Sequence, residues 1–154
     1  VQTWALPIFT DYWFNGGPGY FHYGSHNTNH TFEAQIGYDF GPLALNWYTN
    51  FAGTDGVNNE GDRAYSSYIS ATVPFTLAGL EWTAEIGATP WATDFYNYSE
   101  DPVCNGSNGF AVCDISLGAA KEIRITDSFS VPAFAKVTVN PRTEGAYFVF
   151  GLSF

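Results

Sequence analysis

The chain is short of charge. Only 13% of its residues are Asp, Glu, Lys or Arg, against roughly 25% in ordinary soluble domains. Lys and Arg are the scarcest, 5 against 15 Asp and Glu, for a net charge of −10. So few bases exclude nucleic acid as a partner, because phosphate binding needs a basic surface. The acid surplus suits a cation-favouring lumen, acidic surface loops, or a charge that merely keeps the chain soluble. Long apolar runs are missing too. None approaches the ~20 residues of a membrane helix, so a chain of this kind enters a membrane only as strands. There is no Met at all, no signal-peptide pattern, and the chain starts in mid-pattern at Val1. The expectation is that a signal, or more than a signal, precedes it.

Cysteine is nearly absent as well. Cys104 and Cys113 lie in a Gly/Asn-rich stretch. Their spacing suits a local disulfide, of the sort that persists in secreted, periplasmic or surface settings. Closing so short a loop would add about 2–3 kcal/mol of stability; two free thiols are the alternative. No neighbouring histidine completes a metal set. The three histidines, His22, His26 and His30, recur every four residues but among Gly, Asn and Thr, without a helical pattern to align them. They read as solvated loop residues. The oxygen-rich stretch Asp55, Asn58, Asn59, Glu60 and Asp62 lacks the spacing of a known calcium loop and reads as exposed.

What the chain has in quantity is aromatics: 10 Tyr, 14 Phe and 5 Trp, 19% of 154 residues, with a mean hydropathy of only −0.09. Length alone sets one domain over 1–154. Its pattern is period two, the sign of strands. In 31–40, Phe32, Ala34, Ile36, Tyr38 and Phe40 oppose Glu33, Gln35, Gly37 and Asp39. From Leu43 on, Leu45, Trp47, Thr49 and Phe51 oppose Ala44, Asn46, Tyr48 and Asn50. Tyr65, Ile69, Ala71, Val73 and Phe75 oppose Ser66, Tyr68, Ser70 and Thr72, and Leu80, Trp82, Ala84 and Ile86 oppose Glu81, Thr83, Glu85 and Gly87. Ile115, Leu117, Ile123 and Ile125 then oppose Asp114, Ser116, Glu122 and Arg124, and Val131, Ala133, Ala135, Val137 and Val139 oppose Ser130, Phe134, Lys136 and Thr138. The last run puts Ala146, Phe148, Phe150, Leu152 and Phe154 on one face. The first segment, 1–14, is noisier because Pro7 interrupts it.

The connections alternate in length. Turns near Gly41, Thr76 and Thr126 are short; the stretches from Asn15, Gly53 and Pro90 are long. Tight turns at one end, long loops at the other and an even count of ~10-residue strands are the habit of outer-membrane barrels. The expected fold is therefore all-β, an up-and-down antiparallel transmembrane barrel of about eight strands. Its apolar face, without charge on the clean strands and with aromatics near strand ends, would meet lipid. Glu33, Asp39, Glu81, Glu85, Asp114, Glu122, Arg124 and Lys136 would line the interior, Arg124 and Lys136 pairing with some of the carboxylates. A wide interior would be an acid-lined channel favouring cations. No Ser/His/Asp or Cys/His set accompanies these residues, so an enzyme is not expected, nor a cofactor. A soluble ligand-binding barrel or barrel enzyme is the reading from another class.

With the strands placed, several stretches resemble the porin-type outer-membrane β-barrel proteins of Bacteroides-like bacteria. They are Asn46–Gly53, Arg63–Tyr68, Ala88–Thr93, Ile125–Pro132 and Glu144–Phe154. The resemblance covers most of the chain from Thr31 onward. It implies integral outer-membrane localisation, with the lipid bilayer as surroundings. It also implies recognition by the barrel-assembly machinery through Phe148, Phe150, Leu152 and Phe154, and a longer barrel of about twelve strands of which this is the C-terminal portion. It carries no catalytic motif. The function expected is passive, porin-like diffusion of small solutes. The alternative is a non-conducting structural or interaction barrel, a subunit among other outer-membrane proteins.

Overall fold

A computed structural model describes residues 4–14, 16–24, 27–96 and 109–152, with Trp4 and Ala5 placed as backbone. They form nine strands: β1 (Trp4–Ala5), β2 (Ile8–Tyr12), β3 (His30–Asp39), β4 (Ala44–Gly53), β5 (Ser67–Leu77), β6 (Leu80–Thr89), β7 (Ala111–Thr126), β8 (Phe129–Asn140) and β9 (Gly145–Leu152). No described residue is helical. All belong to one antiparallel sheet, and from β3 onward each strand pairs with the next in sequence.

Pro7 explains the split start. β1 and β2 both pair with β3 in one continuous register, Trp4 opposite Tyr38 and Ile8 opposite Ala34. Between them Pro7 has no N–H to give, yet its carbonyl still accepts from the Gln35 amide at 3.0 Å. The two pieces thus occupy one strand position, and the sheet has eight. The short connections fall at one end. Between β5 and β6 only Ala78 and Gly79 remain, both with positive φ, 55° and 73°. Two successive left-handed residues make the mirror-image hairpin turn that suits strand twist. Gly41 (φ 93°) turns the chain between β3 and β4, helped by the Asp39 carboxylate, which accepts from the Gly41 amide at 2.6 Å.

The expected barrel is corrected in one respect. The sheet is open: β9 at one edge and β1 with β2 at the other do not meet among the described residues. A physical reason lies on the polar face. An eight-stranded barrel has an interior just wide enough for its own side chains. Here that face holds the rings of Tyr48, Tyr68 and Phe134, and Tyr96 from the connection after β6 packs against Tyr68.

Burial runs opposite to that of a water-soluble sheet. Ile36, Leu45, Trp47, Phe51, Val73, Phe75, Ile86, Ile115, Leu117, Val137, Phe148 and Phe150 are all exposed, while Asn50, Ser70, Thr89 and Ser116 are buried.

Candidate functional site

Strand pairing defines the polar face without reference to side-chain packing. Glu33 lies opposite Asn50, Tyr48 opposite Tyr68, Thr72 opposite Glu85, and Glu85 opposite Ser116. Asp114 faces Gly87, Gly118 faces Lys136, and Glu122 and Arg124 face Pro132 and Ser130. With Asp39 and Glu81 in the same register series, all eight expected interior residues share this one face.

They are not one cluster. Toward the long connections the face is densely bonded. Tyr96 donates to Glu33 at 3.2 Å, and Tyr68 donates to Glu85 at 3.2 Å. Gln35 bridges Tyr48 (3.1 Å) and Asn46 (3.0 Å). Ser116 donates to Asp114 at 2.6 Å and shares a 2.8 Å hydroxyl contact with Thr138. At the short-turn end Glu81, Glu122 and Arg124 are exposed. Arg124 does not serve the interior carboxylates as expected; its guanidinium reaches Asp127 in the following turn at 2.6 Å. That turn places Asp127 three residues along the chain, within direct reach of the guanidinium. Lys136 makes no ion pair among the described residues.

Glycine makes room for the rings. A Cβ on Gly87 would collide with the ring and hydroxyl of Tyr68, and one on Gly151 would meet the Phe134 ring. Each aromatic lies across a glycine of the adjoining strand, covering bare backbone while filling the face. This is the close backbone approach that glycines among polar positions predict.

Above the strand ends the long connections form a polar cap. Asp55 is its centre, with its side chain 2% exposed. Its carboxylate accepts from the Ser66 amide (3.2 Å to each oxygen), the Gly56 amide (2.8 Å) and the Asn50 amide group (3.3 Å). Arg63 pairs with it at 3.9 Å, donates to the Gly53 carbonyl, and lies 5.9 Å from the centre of the Tyr65 ring. A cleft of about 550 Å³ opens beside this pair. The oxygen-rich stretch expected to be exposed is thus buried at Asp55, whereas Asn58 folds on itself, its carbonyl accepting from the Glu60 and Asp62 amides at 2.8 and 3.0 Å.

Other expectations change here. His30 is fully buried and not solvated: it opens β3, contacts the Tyr20 carbonyl, and stacks on Tyr23 at 4.4 Å. His22 is exposed, and His26 lies outside the described residues. Cys113 is a buried free thiol; Cys104, its expected disulfide partner, lies outside the described residues. Cys113 sits in a bulge. Gly87 pairs with Asp114 and Ala88 with Val112, leaving Cys113 as the extra residue, its thiol 3.9 Å from the Gly87 carbonyl. The apolar face is not wholly uncharged, since Lys121, opposite Ala133, shares it with Ile123 and Val131. Phe148, Phe150 and Leu152 lie together on that face, opposite Val137, Ala135 and Ala133; Phe154 lies outside the described residues.

Sequence reasoning missed the contributions of Tyr96, Asp55 and Arg63. No periodic signal marks them, because all three sit in irregular connections. Burial, then the Glu33 charge, holds the Tyr96 hydroxyl well above its usual range, so it stays a donor at ordinary pH. The face as a whole offers hydroxyl, amide and carboxylate groups in rows, chemistry that solvates small polar or cationic solutes. Among the described residues no three His, Cys, Asp or Glu group as metal ligands. Searches against protein-family models, curated proteins and solved structures find no match to this chain.

Proposed function

We propose that this chain forms wall and lining of a porin-like outer-membrane β-barrel through which small solutes diffuse passively. The inverted burial carries the reading: Leu45, Trp47, Ile86, Leu117, Phe148 and Phe150 face outward, while Asn50, Ser70 and Ser116 are buried. In water so broad an apolar face is a liability; in a bilayer it is the required surface. The dimensions agree. Ten residues of β3 rise about 33 Å, or about 25 Å once tilted by ~40°, the height of the apolar band of an outer membrane. Lys121 sits near the short-turn end, where a long stem carries its charge to the interface.

On this reading the wall closes through strands beyond the eight, about twelve in all, because the polar face holds too much bulk for eight. Phe148, Phe150, Leu152 and Phe154 form the terminal signal for the assembly machinery. The lumen carries more acid than base and favours cations. Planar-bilayer recording tests the proposal. Cation-selective channels are expected, with selectivity reduced by Glu81→Gln and Glu85→Gln; no channels, or an anion preference indifferent to both changes, overturns it. The capped loop end favours a second reading, a non-conducting barrel that binds a partner through its loops within a larger envelope assembly. The same recording separates the two.

A further inference from the structure

The connection after β6 does not simply leave the sheet. Trp91 anchors it at the rim, donating to the Ala64 carbonyl at 2.9 Å with its ring 5.8 Å from Trp47. The chain then turns across the polar face. Thr93 and Ser66, both almost wholly buried, share a 2.6 Å hydroxyl contact. Asp94 accepts from the Val57 amide at 2.8 Å, and its own amide donates to the Val57 carbonyl at 3.3 Å. Gly56 permits this approach: a Cβ there would strike Asp94 and lie 2.8 Å from the Phe95 nitrogen. Phe95 reaches Trp13 at 6.2 Å. Tyr96, the last described residue of this stretch, has its ring 5.6 Å from Tyr68 and its hydroxyl on Glu33. From β6 to β3 is three strand spacings, about 14 Å. The segment is a strap pinned at each strand or loop it passes.

We propose that Thr93–Tyr96 is a fixed constriction across the mouth of the lumen, and that its edge selects small cations. This rests on the porin reading. The edge is made by Tyr96, Glu33, Tyr68 and Glu85, two carboxylates each joined to a phenol. Arg63 is held by Asp55 and the Gly53 carbonyl, and Lys136 lies two strands beyond Glu85. A solute passing here meets oxygen atoms and ring faces, which attract cations. Anchors on both sides make the strap a filter that narrows the passage, not a flap that opens.

Two measurements on the purified full chain test it. Potassium conductance should rise roughly twofold in Tyr96→Ala, since pore radius sets the flow, and tetraethylammonium should become permeant. Glu33→Gln should lower cation selectivity without that gain. Chymotrypsin gives a readout that needs no channel. Exposed Phe21 and Tyr23 should be cut, while Phe95 and Tyr96 stay intact in the native chain. Tyr96→Phe keeps a cleavable residue but loses the hydroxyl. Together with Thr93→Val it should speed cutting at Phe95 about tenfold, as expected from hydrogen bonds of this kind. Rapid cutting at Phe95 in the native chain overturns the strap, as does an unchanged conductance in Tyr96→Ala. Protection at Phe95 with no channel in any variant overturns the porin reading and supports the strap as a cover.

Discussion

The two halves of the sheet differ in how their polar face is used. On the β3–β6 half it is crowded: Tyr48, Tyr68 and Tyr96 pack over one another, Glu33 and Glu85 are bonded, and Asp55 and Arg63 close the end. On the β7–β9 half, Lys136 has no ion-pair partner among the described residues, and Tyr147 and Val149 stand exposed. Charge divides along the same line. Through residue 108 the chain has eleven acids and a single base, Arg63; from residue 109 it has four of each. The whole net charge thus comes from the residues before 109. On the porin reading proposed above, such a lumen would have one wall that discriminates and one that merely bounds it. The wall that discriminates is also where buried polar groups must be satisfied, so substitutions should be felt far more there.

Ion pairs test this most strongly. Asp55→Ala strips a buried carboxylate from the Ser66 and Gly56 amides and from Arg63. Breaking a buried pair by removing one partner costs about 3–5 kcal/mol. The Arg63 pair is long at 3.9 Å, which argues for the lower figure. Arg124→Ala breaks a shorter contact, 2.6 Å, but one lying in solvent at an exposed turn. It should leave stability unchanged, since water and salt screen such pairs. Urea unfolding midpoints in a detergent or lipid host measure both. If Arg124→Ala destabilises as much as Asp55→Ala, the division between halves is wrong.

Glycine gives a second, smaller contrast. Gly87→Ala drives a methyl into the Tyr68 ring, and overpacking of this kind costs about 1–3 kcal/mol. Gly118→Ala, two strand positions along the same face, meets nothing closer than 3.8 Å. There the loss of backbone freedom in the unfolded chain favours alanine, by about 0.5 kcal/mol. The same unfolding experiment should show opposite signs. Equal effects would mean that Tyr68 does not lie across Gly87.

Much of the fold was legible because strands leave a period-two signature wherever one face meets a different medium. Leu45, Trp47, Ile86 and Leu117 could be placed on their face from spacing alone, as could Glu33, Glu81 and Lys136 on the other. The bulges were not legible. Cys113 is an extra residue opposite Gly87 and Ala88, and no local pattern says that one residue has been inserted. Lys121 is masked by a face that is otherwise apolar, and the open edge leaves no sequence signal because closure depends on how much bulk the interior carries. Contacts such as Tyr96 to Glu33 join residues 63 apart in sequence; periodicity reports only near neighbours.

A more local effect lies at the short-turn end, away from both walls. Ala78 holds φ at 55° in the two-residue turn between β5 and β6. A non-glycine residue there sets its Cβ against the following carbonyl, at a cost of roughly 1–2 kcal/mol. The next residue, Gly79 at φ 73°, has no Cβ and bears no such strain. Asn-Gly is the preferred pair for this turn, so Ala78→Asn should raise stability by up to about 1 kcal/mol without touching either face. Conductance and chymotrypsin protection at Phe95 should stay unchanged, because the turn and the strap lie at opposite ends of the strands. A gain in stability accompanied by altered conductance would place the limiting constriction at the turn end and remove the strap from that role.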